Sequence, residues 1–405
     1  MEETLDLNES LKELRIVSIS RNLTHGDRLS NSDKEMMCKL MAKEDDPKTI
    51  TEQEFADVFG VTRKTINNWI SDIRARQKGS RDNLIYRLSA LGWTQSEIAN
   101  KLNIAQNTVS MIIKNGNFTK IDNDYNNGVK IEKIAEYYGL DIPMVWSILL
   151  KDADDLVRFE VFGKKEYAND QPKMYDYWNF PKRDNRLGIE YPGMLWGQHV
   201  MNLLYRYSEQ GDLIIDPMAG GGVTIDSCLI MGRKCRAFDI NPIRDDIEEL
   251  NIINSFPEDL KQADFILLDP PYYKKKEVEY NCEEFTKDRD TYLKSIEIII
   301  KHCFNLLKEN KYLALIMSNY IDYENELESI FLADYYRLFE ERGFRLILEI
   351  QTPLSSAKCK DNQWGNPAEC TLYKLIEDVQ ELKDFKKAAI EDKKTFQSLL
   401  GIINV

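Results

Sequence analysis

Apolar residues are spaced in two ways along this chain. Between residues 51 and 151 they recur three and four positions apart, which predicts short amphipathic helices. From about residue 211 they gather into unbroken runs: Leu213-Ile214-Ile215, Ile266-Leu267-Leu268, Leu313 to Met317 and Leu346-Ile347-Leu348. Runs without alternation predict strands buried on both faces, as in a parallel α/β sheet. Residues 291–308 read as a helix between two of these strands, and Glu369 to Lys374 as a final strand. The pattern divides the chain into a polar, partly helical leader (1–50), a helical region (51–151), a charged linker (152–172), an α/β domain (173–378) and a C-terminal helix (379–405).

Within the helical region one layout repeats. Thr51 with Glu54, and Thr94 with Glu97, are capping boxes that start short helices. A small residue follows (Ala56, Ala99, Ala135), then Gly60, Asn103 or Gly139 for a left-handed turn, then a second helix with apolar pairs four apart (Ile66/Ile70, Val109/Ile113, Val145/Leu149). This resembles the DNA-binding helix-turn-helix, and the middle unit is similar to that of ParB-type partition proteins over about twenty residues. The exposed positions of the first two second helices suit phosphates and base edges: Arg63, Lys64, Thr65, Asn67 and Asn68, then Gln106, Asn107, Thr108 and Ser110. The third offers Asp141, Ile142, Pro143 and Met144, which reads as a packing or dimerisation unit. A plain helical bundle is the other reading of all three.

The α/β half carries two strand ends with chemistry. The strand at 213–215 runs into Asp216-Pro217-Met218-Ala219-Gly220-Gly221-Gly222-Val223-Thr224, and a second strand ends in Asp239-Ile240. A strand, a glycine turn, a helix and a strand with a terminal acid make the first half of a nucleotide-binding unit. No lysine follows the glycines, so this is not a phosphate loop. Gly220 and Gly222 would let a ligand approach the backbone, and Asp239 would accept from ribose hydroxyls. The strand at 266–268 ends in Asp269-Pro270-Pro271-Tyr272, where two prolines stop the ladder and fix a rigid turn. An exocyclic amino group on a base is a poor nucleophile because its lone pair is delocalised into the ring. If Asp269 and the Pro270 carbonyl each accept one of its N–H bonds, the nitrogen can pyramidalise, while Tyr272 stacks on the base. Read alone, the tetrapeptide has an ordinary proline turn as its lesser alternative.

Residues 175–375 resemble the S-adenosylmethionine-dependent amino-group DNA methyltransferases. Asp216-Pro-Met-Ala-Gly-Gly-Gly is similar to their Asp-Pro-Phe-x-Gly-x-Gly cofactor motif, with Met218 in place of Phe, and Asp269-Pro-Pro-Tyr272 to their catalytic motif. Tyr191-Pro192-Gly193 resembles the segment that in this family folds over the methionine end of the cofactor. The resemblance implies an α/β Rossmann-like methyltransferase domain preceded by an all-α helix-turn-helix DNA-binding domain. It also implies S-adenosylmethionine as cofactor and transfer to a flipped-out base. Adenine N6 is favoured over cytosine N4; RNA methylation, or a DNA-binding regulator whose cofactor domain only senses, are the rivals. The chain departs from the family in lacking a long target-recognition insertion. Only 274–290 and the loop with Lys358, Lys360 and Trp364 are free for local contacts, so the helix-turn-helix units are expected to supply target choice.

Composition refines this picture modestly. The net charge of −14 is unusual for a nucleic-acid binder, but residues 51–120 hold ten Lys/Arg against six Asp/Glu, an excess of four. Seven scattered cysteines without a C-x-x-C pair, and only His25, His199 and His302, argue for reduced thiols in a cytoplasm and against a metal site. No apolar run is long enough for export or membrane insertion. The expected partner is double-stranded DNA, a homodimer is compatible with the pattern, and no restriction partner is evident.

Overall fold

The structure is a computed structural model that describes residues 30–44, 50–116, 118–190, 194–273, 285, 287–320, 322, 325–352 and 368–375. Two units are formed: residues up to Ile85 with Tyr138–Leu140, and Tyr86–Tyr137 with Asp141 onward. The first contains α1 (Asn31–Glu44), α2 (Glu52–Phe59) and most of α3 (Arg63–Ala90). The Thr51 capping box forms as expected, with Glu54 N–H donating to Thr51 Oγ1 at 3.2 Å and Thr51 N–H to Glu54 Oε2 at 2.6 Å. Gly60 then turns left-handed at φ +61°. Cys38, Ala42, Phe55, Ala56, Phe59, Ile66 and Ile70 close a small core, so α1 supports the helix pair. Whereas the apolar pairs predict a short second helix, α3 runs for 28 residues.

The second unit begins with the second helix pair, α4 (Gln95–Lys101) and α5 (Gln106–Asn115), joined through Asn103 at φ +49°. After α6 (Ile121–Asn126) and α7 (Ile131–Tyr138), helix α8 (Ile142–Leu149) buries Pro143, Met144, Val145 and Trp146. Residues 152–172, expected as a linker, instead carry α9 (Asp155–Phe162), with Phe159 and Phe162 fully buried. Two of its charged residues, Asp155 and Arg158, bond inward. Arg158 donates to the Ile230 carbonyl at 2.9 Å, and Asp155 Oδ2 accepts from the buried Arg233 at 2.7 Å. Polar composition therefore hid a packed helix.

The sheet has seven strands in the order β3-β2-β1-β4-β5-β7-β6. These are β1 (Leu213–Asp216), β2 (Lys234–Asp239), β3 (Glu248–Glu249), β4 (Ala263–Leu268), β5 (Leu307–Met317), β6 (Phe344–Thr352) and β7 (Ala368–Leu375). All pairings are parallel except those of β7 with β5 and β6. Ile266 and Leu268 belong to a core with Tyr292, Ile296 and Ile299 of α12 (Arg289–Leu306) and with Phe339 of α13 (Leu332–Arg342). Phe265 and Leu267, alternating with them, point to the other layer, where α10 (Gly197–Tyr207) packs on α11 (Val223–Met231) and α8 and α9 pack on α11. This is a doubly wound, Rossmann-like unit. Strand order reverses between β1 and β4, which places a crevice at their carboxyl ends.

Stretches preceding the sheet close its two flanks. Gln351 of β6 exchanges backbone bonds with Asp176 and Trp178 (2.7 and 2.8 Å), and Cys235 N–H of β2 donates to the Leu91 carbonyl at 3.0 Å. Among the described residues no helix is long and apolar enough to cross a membrane.

Candidate active site

The turn after β1 is built by backbone bonds that leave little freedom. Ala219 N–H donates to the Phe238 carbonyl at 2.8 Å, and Gly220 N–H to Asp239 Oδ2 at 2.9 Å. Asp239 Oδ1 accepts Asn241 N–H at 2.9 Å, so the acid ending β2 fixes both turns and keeps acceptor capacity on each oxygen. Gly220 and Gly222 both have positive φ, and Gly222 caps α11. A Cβ on Gly222 would lie 2.5 Å from the Arg244 guanidinium, so the position requires glycine for space as well as for conformation.

A cleft opens at the switch point. Its walls include Asp216, Met218, Gly220 and Thr224 from the turn, Asp239 and Ile240 from β2, and Asp269 and Pro271 from the turn after β4. Two expected site stretches thus meet across one opening, with three carboxylates on its walls, a setting suited to a cationic ligand. Met194, Leu195, Leu250 and Ile252 add apolar walls that the motifs did not reveal, because they lie outside them. Pro270 is buried, and Tyr272 is half-buried against the α12 core; neither lines the cleft. Gly222 faces Arg244 instead of the cleft. Tyr191, Pro192 and Gly193, with Lys358, Lys360 and Trp364, lie outside the described residues.

The Pro-Pro turn is braced from α12. Tyr292 donates to the Pro271 carbonyl at 3.1 Å and shares a 3.0 Å bond with the Tyr335 hydroxyl. Tyr273, packed on Tyr292 and Tyr320, bonds Glu328. Nothing in the sequence around Tyr292 marks this support.

Asp216 is buried, and burial pushes its carboxyl up to about 7 against the opposing bonds from Thr224 and Met218 N–H. Between its ordinary 3.8 and about 7, the native protein keeps a proton that the unfolded chain has released. The unfolded state then binds fewer protons, so stability should fall as pH rises through that interval. At about 1.4 kcal/mol per unit the full effect approaches about 4 kcal/mol. Asp216→Asn should flatten the decline in urea unfolding midpoint between pH 5 and 7; an unchanged slope would locate the titration elsewhere.

Behind the turn lies a buried ion cluster whose side chains are no more than 10% exposed. Arg87, in the last turn of α3, reaches Asp226 Oδ1 at 2.6 Å and Asp246 Oδ2 at 2.7 Å. Arg244 reaches the same two carboxylates at 2.9 and 2.7 Å. Burial alone would raise the pKa of Asp246, but the two guanidinium groups outweigh it and hold it down at about 2.

The expected DNA-contacting side chains sit on two helices. At the start of α3, Arg63, Lys64, Asn67 and Asn68 are exposed and Thr65 half-buried; on α5, Gln106 and Asn107 are exposed and Thr108 and Ser110 half-buried. The basic excess of this region is partly spent inside the protein. Arg87 belongs to the ion cluster, and Lys101 donates to the Ile247 carbonyl at 3.3 Å. Glu97, besides capping α4, pairs with Arg236, whose guanidinium lies 4.1 Å above the Trp93 ring. The α4–α5 pair is therefore docked on the sheet through β2.

No protein-family model matches the chain. Over 156 residues, 37% of its length, it is 33% identical to the Type II methyltransferase M.MjaII of Methanocaldococcus jannaschii, and the match spans 27% of that relative. Among solved structures it is similar to an S-adenosylmethionine-dependent methyltransferase from Methanosarcina mazei (16% identity, TM-score 0.31, covering 43% of this chain and 98% of that one). It is also similar to the 1,6-didemethyltoxoflavin-N1-methyltransferase of Burkholderia thailandensis, solved with S-adenosylhomocysteine (12% identity, TM-score 0.29, covering 42% and 72%). The proteins it resembles are methyltransferases.

Proposed function

We propose that the chain is a DNA methyltransferase that takes its methyl group from S-adenosylmethionine and places it on the exocyclic amino group of a flipped-out base. Adenine N6 is the preferred acceptor. The observation that carries this reading is the meeting of the Asp216–Gly222 turn, Asp239 and Asp269 in one cleft at the switch point of the sheet. The sequence similarity to M.MjaII supports the reaction class.

The residues present fit the cofactor. Asp239 would accept the ribose hydroxyls, Ile240 and Ile252 would flank the adenine, and the glycine turn would admit the amino-acid end. Asp269, joined by Asp216 once pH exceeds about 7, would face the cofactor's positive charge. The cofactor supplies a methyl group on a sulfonium, so the protein needs no metal or covalent attachment to the base. Asp269 accepts one amino N–H and takes the proton that the nitrogen sheds on gaining its methyl group; the Pro270 carbonyl, which forms no wall of the cleft, would accept the other from a base entering beyond it. The apolar walls at Met194, Leu195 and Leu250 exclude water from the reacting atoms.

Duplex DNA would be contacted by the amino end of α3 in the first unit and, separately, by that of α5 in the second. Arg63→Ala and Lys64→Ala, each removing one phosphate contact, should weaken binding to all sequences alike. Each should also lower the slope of log affinity against log salt by about 0.9. Fluorescence anisotropy across a salt series measures this, and an unchanged slope would remove α3 from the interface.

Methylation-aware sequencing of genomic DNA from cells expressing the wild type or Asp269→Ala tests the function as a whole. Modified adenines in one sequence context, absent in the variant, are expected. Modified cytosines would correct the target atom. An unmodified genome alongside measured cofactor binding would turn the assignment to RNA or to a sensing regulator.

A further inference from the structure

We propose that Arg244 is a positioning residue for the cofactor turn, and that through the ion cluster it ties this turn to the helical segment carrying α4 and α5. This deepens the methyltransferase reading and rests on it. Arg244 Nη1 donates to the carbonyls of Gly221 and Gly222, each at 3.2 Å, while Nη2 and Nε hold Asp226 and Asp246. In a planar peptide the C=O and N–H point in opposite directions. Fixing two successive carbonyls on the guanidinium side therefore fixes which way the amides leading into α11 are presented. The bonds from β2 fix Ala219 and Gly220, while Gly221 and Gly222, where the turn enters α11, are clamped from outside by Arg244.

The partners of this guanidinium hold neighbouring segments in turn. Asp226 Oδ2 accepts Gly188 N–H at 2.7 Å, and the Gly221 carbonyl accepts Ile189 N–H at 2.9 Å. The segment approaching Tyr191 is thus held by the same group of residues. Arg87 shares both carboxylates with Arg244 and reaches Asp141 Oδ2 at 2.8 Å, while Asp141 Oδ1 caps α8 by accepting Met144 N–H at 2.9 Å. Arg87 lies just before Trp93 and Thr94, where the α4–α5 pair begins and docks on β2. The frame that orients the cofactor turn and the frame that mounts the second helix-turn-helix are one set of charges.

A fork of donors is needed here, because a lysine ammonium has its three donors on one atom and cannot span carboxylates and carbonyls together. The test uses the full chain with Arg244→Lys and Arg244→Gln. It measures S-adenosylhomocysteine affinity by calorimetry, affinity for a duplex oligonucleotide, the urea midpoint, and amide hydrogen exchange across 218–224. Both variants are expected to lose cofactor-product affinity by at least about tenfold, with faster exchange in the turn and a smaller, parallel loss of duplex affinity through the shared charges. Arg244→Lys keeps the charge beside Asp226 and Asp246 and should stay folded even if Arg244→Gln does not. Unchanged affinity and exchange with a lower urea midpoint would make the cluster a stability element only and overturn the proposal, as would failure of both variants to fold. A wild type that binds no S-adenosylhomocysteine would defeat the methyltransferase reading instead, and hydrogen exchange would still decide whether Arg244 shapes the turn.

Discussion

Asp269→Ala should lower the rate of methyl transfer by about three orders of magnitude or more while leaving the fold intact and weakening cofactor binding far less. The variant deletes the carboxylate that accepts the amino N–H and takes up its proton, a contribution typically worth about 10²–10⁴ in rate. The loss should appear in kcat, because the carboxylate matters most when the nitrogen has become pyramidal. Asp269→Asn should fall between the two, since its carbonyl still accepts the N–H but takes no proton. The turn itself should survive, because Tyr292 holds the Pro271 carbonyl. Radiolabelled methyl incorporation into a duplex substrate, together with calorimetry for the cofactor, measures both halves. Asp269→Ala retaining a tenth or more of the activity would sink the assignment of this carboxylate.

Arg87→Ala should destabilise the protein by about 3–5 kcal/mol, the cost of stripping one member from a buried charge cluster. Asp226 and Asp246 would share one guanidinium where they now share two, in a site too buried for water to compensate. Asp246, held at about 2, contributes stability that is complete above its ordinary 3.8 and is lost as pH falls toward 2. With Arg87 gone the carboxyl should titrate nearer its ordinary value, so acid unfolding should begin at higher pH than in the wild type. Urea unfolding at pH 7 and an acid titration followed by circular dichroism give both numbers. A loss below about 1 kcal/mol would mean that Arg244 alone balances the two acids.

What could be read from the sequence was local. Asp269 before two prolines, and Asp216 before three glycines, mark strand ends by backbone chemistry that few tertiary contacts can override. The capping boxes at Thr51 and Thr94 form as read, because each is complete within four residues. The supports of these sites were not legible. Arg87 and Asp246 meet across 159 positions, and Tyr292 and Pro271 across 21, with no periodicity to announce either pair. Helix α9 was hidden by Asp155 and Arg158, whose charges read as solvent-facing but bond inward. The length of α3 was hidden because its middle turns, Arg74 to Asn83, carry no apolar stripe.

The closing of both sheet flanks by earlier stretches has a consequence for the order of folding during synthesis. Leu91 leaves the ribosome well before Cys235, and Asp176 and Trp178 before Gln351. The covering segments must therefore wait, solvated, for the strands that they will protect. Contacts of such long sequence separation carry loop-closure cost before they return any stability. For the whole interval in which residues 179 to 350 are being made, the β6 edge has a cover and no strand to receive it. The last half of the sheet is thus the step on which a nascent chain commits to its native pairing.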